Sequence, residues 1–426
     1  MKTDEAQTQT QIQFEADGAT LFAHQQGRGR AVVVLHGGMA DHRASLLALG
    51  GLASSHHLIT PDVRAAGRSK WAGEMTWDRL ADDVLALLDH LGLRRAVIVG
   101  LSVGTGIALR FAMRHPERVD ALALVSPVYD GEALTDFQRA QFERMHEHAA
   151  AAVEDGVEGL LPLYAELPTP IRDAAFAMLR SFDLRSVAAT TGFLRSEAGP
   201  ITNVVELCRV AARTLVVRGG DAMHPPKLAD AYVDALPLAT LLESTPELRS
   251  ALESWMQATP PMGLLHLLVG PVGSGKTTFA KTRVAAGNGV LFDADTWMVR
   301  MFGDDARPQD NVLGWYLERR DRCREAIWGM ARDLVNSGAD AYVELGLLTQ
   351  AERELYVGRA RAQGSSLLMH VADAPREQRR EWVRARNQSG APFTQVVPPA
   401  FFERASDAWE PLTDAERRRV AVMDVP

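Results

Sequence analysis

Gly270-Pro-Val-Gly-Ser-Gly-Lys-Thr277 decides how the second half of this chain folds. It fits G-x-x-x-x-G-K-[ST] at every fixed position. An apolar run over residues 264–269 leads in, and a helix-compatible run over 277–284 leads out. Strand, glycine loop and helix, in that order, are the setting of a phosphate-binding P-loop. Glycines let successive backbone N–H groups turn inward, and the helix adds its positive N-terminal dipole. Gly270, Gly273, Ser274, Gly275, Lys276, Thr277 and Thr278 form the expected nucleotide-binding set. Lys276 is placed to reach the β- and γ-phosphates, and Thr277 to ligate Mg²⁺. The expected ligand is ATP or GTP with Mg²⁺.

The P-loop begins far into a chain of 426 residues, so two or three domains are expected. An apolar content of 46% and a charged content of 23% are those of ordinary globular protein. A net charge of −8 argues against a broad nucleic-acid or membrane surface. Cys208 and Cys323 lie far apart, which speaks against a disulfide framework and for a reducing compartment. Residues 1–15 are polar and lack the apolar segment of a signal peptide. No apolar run approaches the roughly 20 residues of a membrane span. A cytoplasmic protein is expected; nothing bears on oligomeric state. Lysines stand only at positions 2, 70, 227, 276 and 281, so Lys276 is a rare compact ammonium among many arginines.

Strand-like runs at 31–35, 57–60, 96–100, 121–126, 214–218 and 239–242 alternate with helical patterns. Such alternation predicts a mostly parallel sheet covered on both faces. Between 132 and 207 the strand signal gives way to helices, as an inserted cap would read. Gln257-Ala-Thr-Pro-Pro-Met-Gly263 is the expected joint, because paired prolines end the preceding helix. Alternation restarts at 264–269, 290–292, 341–345 and 366–371. The expected organisation is a tail over 1–20, an α/β domain over 21–258 with its cap, and a second α/β domain over 264–426.

In the first domain, Gly100-Leu-Ser102-Val-Gly104 follows a strand and precedes a helix. This is G-x-S-x-G in the strand–turn–helix setting of a nucleophile elbow. Leu35-His-Gly-Gly-Met39 follows the first strong strand. Its Gly38 or Met39 amide can join that of Val103 in an oxyanion hole. Asp62-Val-Arg-Ala-Ala-Gly-Arg-Ser69 follows the next strand. Together these stretches resemble the α/β-hydrolase family over residues 12–258, with Ala65 where the family often has glycine. The resemblance implies chain order Ser, acid, His. Asp221 supplies the acid, with Asp130 as an alternative. The histidine is expected between the last strand and the helix after it, yet only Glu243-Ser-Thr245 stands there. His224 and His36 are the substitutes at hand, the first reading as a solvated loop residue and the second as part of the His-Gly turn. An incomplete triad, with hydrolysis weak or absent, is the expectation.

In the second domain, Asp293 and Asp295 end the second strand. A carboxylate there can orient or deprotonate an acceptor hydroxyl, with Asp295 favoured and an N-cap as the alternative. Glu344 ends the next strand, where it would position metal or water or serve in a structural ion pair. Arg384 and Arg386 lie on the helix after Asp373, ahead of an expected lid, and can clamp transferring phosphates. A solvated helix face is their other fate. The segment over 262–415 resembles P-loop kinase-like proteins of the zeta-toxin, chloramphenicol-phosphotransferase and polynucleotide-kinase type. That resemblance implies transfer of the γ-phosphate to a small-molecule hydroxyl. Two other readings stay open: a serine hydrolase with a nucleotide-binding regulatory domain, and a nucleotide-gated binding protein without chemistry.

Overall fold

The computed structural model describes residues 10–132, 134–196, 198–287, 289–389 and 396–425. The chain divides into two compact units, Met1–Pro260 and Pro261–Pro426.

The first unit is built on eight strands: β1 (Thr10–Ala16), β2 (Ala19–Gln26), β3 (Ala31–Leu35), β4 (His57–Asp62), β5 (Ala96–Leu101), β6 (Val119–Val125), β7 (Thr214–Val217) and β8 (Ala239–Leu242). Their order is β1-β2-β4-β3-β5-β6-β7-β8. From β4 to β8 neighbours are parallel, while β2 pairs antiparallel with both β1 and β4. Strand β3 is buried at every position, as a central parallel strand covered on both faces must be. The hairpin β1–β2 occupies part of the expected tail. Its two-residue turn, Asp17-Gly18, has φ of 39° and 73°, the left-handed pair that a tight hairpin demands.

Parallel pairing aligns the carboxyl ends of β3, β5, β6 and β7. Leu35 lies opposite Gly100, Leu101 opposite Val125, and Val125 opposite Val217. The loops leaving these strands therefore open on one edge of the sheet, the edge where open α/β sheets hold ligands. Above it sits a helical cap whose main elements are the helices Asp136–Asp155, Thr169–Leu179 and Leu184–Leu194. Thr135 and Gln138 form a reciprocal capping box at the start of the first, which fixes where that helix begins. The cap has its own core of Ala149, Ala152, Leu160, Leu179 and Val187, and Met39 of the loop after β3 joins it.

The second unit has five parallel strands: β9 (Leu265–Val269), β10 (Gly289–Asp293), β11 (Asp340–Glu344), β12 (Leu367–Ala372) and β13 (Ala421–Val425), in the order β10-β11-β9-β12-β13. Strand β9 is central and wholly buried, and the glycine loop leaves its carboxyl end. Register puts Asp293 opposite Glu344 and Glu344 opposite Leu268. The acids that end β10 and β11 are thus carried to the mouth of the P-loop. No described helix is long and apolar enough to cross a membrane. Both cysteines are free.

Candidate active sites

At the end of β5, Ser102 has φ of 52°, a left-handed conformation rare for a residue with a side chain. The strain stands its hydroxyl clear of the strand at the mouth of the helix Gly104–Arg114. Ser102 Oγ lies 2.8 Å from His224 Nε2. His224 Nδ1 lies in turn 2.8 Å from Asp221 Oδ1. The three side chains form one hydrogen-bonded series. This corrects the expectation that His224 is a solvated loop residue and that Ser102 lacks a histidine partner. The segment between Leu242 and the helix Leu248–Ala258 indeed holds no histidine, but one loop after β7 supplies both groups.

That loop is short and specifically shaped. Asp221 Oδ1 also accepts the His224 backbone N–H at 2.8 Å, an Asx-type turn that folds the segment back on itself. A Cβ at Gly219 would fall 2.4 Å from both Cβ and the carbonyl oxygen of His224. Glycine at 219 is what allows the imidazole to lean toward Ser102. Asp221 remains 64% exposed at its side chain and His224 only 20%, so the acid is wet while the base is sheltered.

Opposite Ser102 runs the loop 36–40. The amides of Gly38 and Val103 have no acceptor among the described residues, and the Cβ position of Gly38 is 3.3 Å from Val103 Cγ2. Two free donors from two elements thus sit together beside the serine. His36 is not available to it: Nδ1 meets the Gly37 carbonyl at 2.8 Å and Nε2 accepts the Val63 amide at 3.1 Å. Burial lowers its pKa, so the ring stays neutral and fastens two loops together. Asp130 accepts the Glu132 amide in a local turn and has no contact with His224. An apolar pocket opens beside Gly38 and Val103, walled by Met39, Met75, Phe182, Val187, Phe193 and Leu194. Arg64 reaches its wall, but its guanidinium is committed to Asp83, at 2.6 and 2.8 Å, and to the Ala16 carbonyl.

The P-loop follows β9. Gly270 has φ of 144°, and a Cβ there would lie 2.0 Å from the Ala372 carbonyl, so only glycine lets the loop pass β12 this closely. Lys276 opens the helix Lys276–Ala286, and its Nζ donates to the carbonyls of Gly270 at 3.0 Å and Pro271 at 2.8 Å. Thr277 Oγ1 donates to Glu344 Oε2 at 2.7 Å, and Lys276 Nζ is 3.7 Å from Glu344 Oε1. Burial pushes the Glu344 carboxyl up to about 7, against the pull of Lys276.

The structure separates the two aspartates after β10. Asp293 caps the helix Ala294–Phe302, accepting from the Asp295 amide at 3.0 Å and from Thr296 Oγ1 at 2.6 Å. Asp295 is not the cap; it stands exposed in the first turn of that helix. Desolvation raises its pKa, the Asp293 charge adds to this, and the Arg386 and Lys276 charges oppose it. Arg386 has its Nε and Nη2 buried without a hydrogen-bond partner among the described residues. Arg384, two residues away, is exposed. The expected lid after Asn387 falls in residues 390–395, outside the described ones. Sequence reasoning missed Arg379, which is buried, donates to the Val272 carbonyl of the P-loop at 3.0 Å and packs against Phe402.

The family model described as alpha/beta hydrolase fold matches residues 30–162, and the AAA domain model matches 265–411. This chain joins an α/β-hydrolase fold to a P-loop domain. Its first half is 35% identical over 115 residues to a 2-hydroxymuconate semialdehyde hydrolase of Pseudomonas sp. strain CF600, covering 26% of this chain and 41% of that protein. It is 36% identical over 111 residues to an AB hydrolase superfamily protein of Bacillus subtilis strain 168, covering 25% and 41%. The chain thus spans about two-fifths of the length of these relatives. An esterase from Exiguobacterium antarcticum superposes with a TM-score of 0.51 at 19% identity, covering 58% of this chain and 99% of that one. That likeness is one of fold.

Proposed function

We propose that the first unit is a serine hydrolase acting on uncharged esters with an apolar acyl group. The observation that carries this reading is the series Ser102 Oγ, His224 Nε2, His224 Nδ1, Asp221 Oδ1, with both links at 2.8 Å. As Ser102 Oγ attacks the ester carbonyl, its proton passes to His224 Nε2, and the carbonyl electron pair becomes an oxyanion facing the Gly38 and Val103 amides. The protonated His224 then delivers that proton to the leaving alkoxide, freeing the alcohol and leaving an acyl-serine. Water, deprotonated by the same nitrogen, releases the acid and restores the serine. Asp221 holds the imidazole in the tautomer that keeps Nε2 an acceptor. The apolar walls beside Gly38 favour an acyl chain without charge, because an unpaired ion there would lose its hydration. Turnover of p-nitrophenyl butyrate and labelling by a fluorophosphonate, both lost in Ser102→Ala, test it. An unlabelled wild-type protein would sink it.

A second reading concerns the second unit: binding of ATP or GTP with Mg²⁺, and transfer to a hydroxyl of a small molecule. The residues fit a nucleotide. The glycine loop leaves the central strand, Lys276 is held at its mouth, and Arg386 carries buried guanidinium nitrogens without an acceptor among the described residues. Gly270, Gly273, Ser274, Gly275, Lys276, Thr277 and Thr278 would hold the phosphates, and Thr277 with Glu344 the metal. When bound, the nucleotide supplies the transferable phosphoryl group. Asp295, whose raised pKa suits proton uptake, would receive the acceptor's hydroxyl proton, and Arg386 would neutralise charge on the phosphates. Calorimetry with Mg·ATP and a turnover assay across a panel of hydroxylated metabolites test this reading. Absence of nucleotide binding would overturn it.

A further inference from the structure

Where the cap meets the loop after β3, the contact at Met39 is polar as well as apolar. Met39, directly after Gly38, has φ of 56°. For a residue with a side chain this left-handed conformation is sterically costly, so something must hold it. Its side chain is only 6% exposed and is counted into the cap's core with Ala149, Ala152, Leu160, Leu179 and Val187. Its carbonyl oxygen accepts a hydrogen bond from Tyr164 Oη at 2.9 Å. The phenol is buried, which favours its protonated, donating form.

We propose that Tyr164 is a positioning residue for the oxyanion hole: from the cap, it fixes the Gly38–Met39 turn so that the Gly38 amide faces Ser102. The proposal rests on the hydrolase reading above. A peptide's orientation is set at both ends. Gly38 has no side chain with which to resist rotation, and the next residue is held in a strained conformation by a donor in another part of the fold. Removing that donor lets Met39 relax toward ordinary backbone, and the relaxation turns the Gly38 peptide. The cost falls where charge develops on the substrate oxygen and not where the acyl chain binds.

Tyr164→Phe keeps the ring and its packing while deleting the donor. Its kcat for p-nitrophenyl butyrate should fall about 10-fold, with KM within about twofold of wild type. Affinity for a trifluoromethyl ketone, which forms an oxyanion on Ser102, should fall by the same factor. Tyr129→Phe is the control, because the Tyr129 hydroxyl is buried without a hydrogen-bond partner among the described residues; it should leave both values unchanged. Thermal melting of each variant establishes that it is folded. If the wild type hydrolyses ester and Tyr164→Phe matches it in kcat and ketone affinity, the positioning role is overturned while the hydrolase reading stands. A rise in KM with kcat unchanged overturns it equally. If the wild type neither turns over ester nor takes up fluorophosphonate, the hydrolase reading falls and this inference with it.

Discussion

Asp221 and His224 are three residues apart on one loop, and a single carboxylate oxygen, Asp221 Oδ1, accepts both the backbone amide and Nδ1 of His224 at 2.8 Å. The acid is thereby the clasp of the turn as well as the partner of the imidazole. Its side chain is 64% exposed, so its charge acts through water-rich surroundings.

Loss of the base should be far more costly than loss of the acid. His224→Ala should lower kcat for p-nitrophenyl butyrate by about 10³–10⁶, in the range seen for triad knockouts. Asp221→Asn should lose only about 10–10³, because a screened carboxylate stabilises an imidazolium less than a buried one. Steady-state kinetics of the two variants check the ranking. A larger loss in Asp221→Asn than in His224→Ala would contradict it.

Gly219→Ala should separate folding from chemistry. The added methyl collides with backbone and Cβ of His224 and pushes the ring from Ser102. Ester turnover should drop by about 10²-fold, as expected for a misplacement near 1 Å. The melting temperature should change by only a few degrees, because the adjoining Gly220 and Asp221 are exposed and let the loop shift outward. Parallel activity and melting measurements decide.

In the second unit, Asp293→Ala and Asp295→Asn should fail in different ways. The first removes an N-cap and should cost about 1 kcal/mol of stability. The second should leave nucleotide affinity nearly intact and lower phosphoryl transfer about 10²–10⁴-fold. Lys276→Ala should abolish most nucleotide-dependent stabilisation, about 2.7 kcal/mol when ligand stands near 100 times its Kd. Denaturation curves with and without Mg·ATP, beside turnover, distinguish the three.

Glu344 gives the nucleotide-free protein a pH signature. Its folded pKa is raised from 4.5 to about 7, so the folded state binds the proton more tightly than the unfolded one. The stability from this group is full below about pH 4.5 and is lost as pH rises through about 7. The loss is on the order of 3 kcal/mol, at about 1.4 kcal/mol for each pKa unit. Glu344→Gln cannot titrate, so the gap between variant and wild type in urea melts should widen in the variant's favour from pH 5 to pH 8. A gap independent of pH would refute the assignment.

Much of this was legible because short motifs impose local geometry. Glycine at 270 is demanded by the passage beneath Ala372, and the G-x-S-x-G turn by the pose of Ser102, so both declared themselves in one dimension. The parallel strands announced themselves by apolar runs. Asp17-Gly18 was an equally strong hairpin signal that lay hidden in a stretch read as tail. The partnership of His224 with Ser102 was harder to see. It depends on a bend enabled by Gly219 and on a contact 122 residues apart in the chain, neither of which periodicity or spacing encodes. Tyr164, Arg379 and the division of labour between Asp293 and Asp295 are tertiary facts of the same sort.

Arg379 and Arg386 stand seven residues apart on the helix Arg376–Gln388, close to two full turns, and so share a face. The first is bolted to the P-loop backbone through Val272, and the second has buried nitrogens with no hydrogen-bond partner among the described residues. The helix is therefore a lever with a fixed fulcrum and an unloaded arm about 10 Å long. A tilt of some 10° at the fulcrum would swing the arm's end by roughly 2 Å, enough to make or break a hydrogen bond. An anion that engages Arg386 would load the same helix that Arg379 ties to the P-loop.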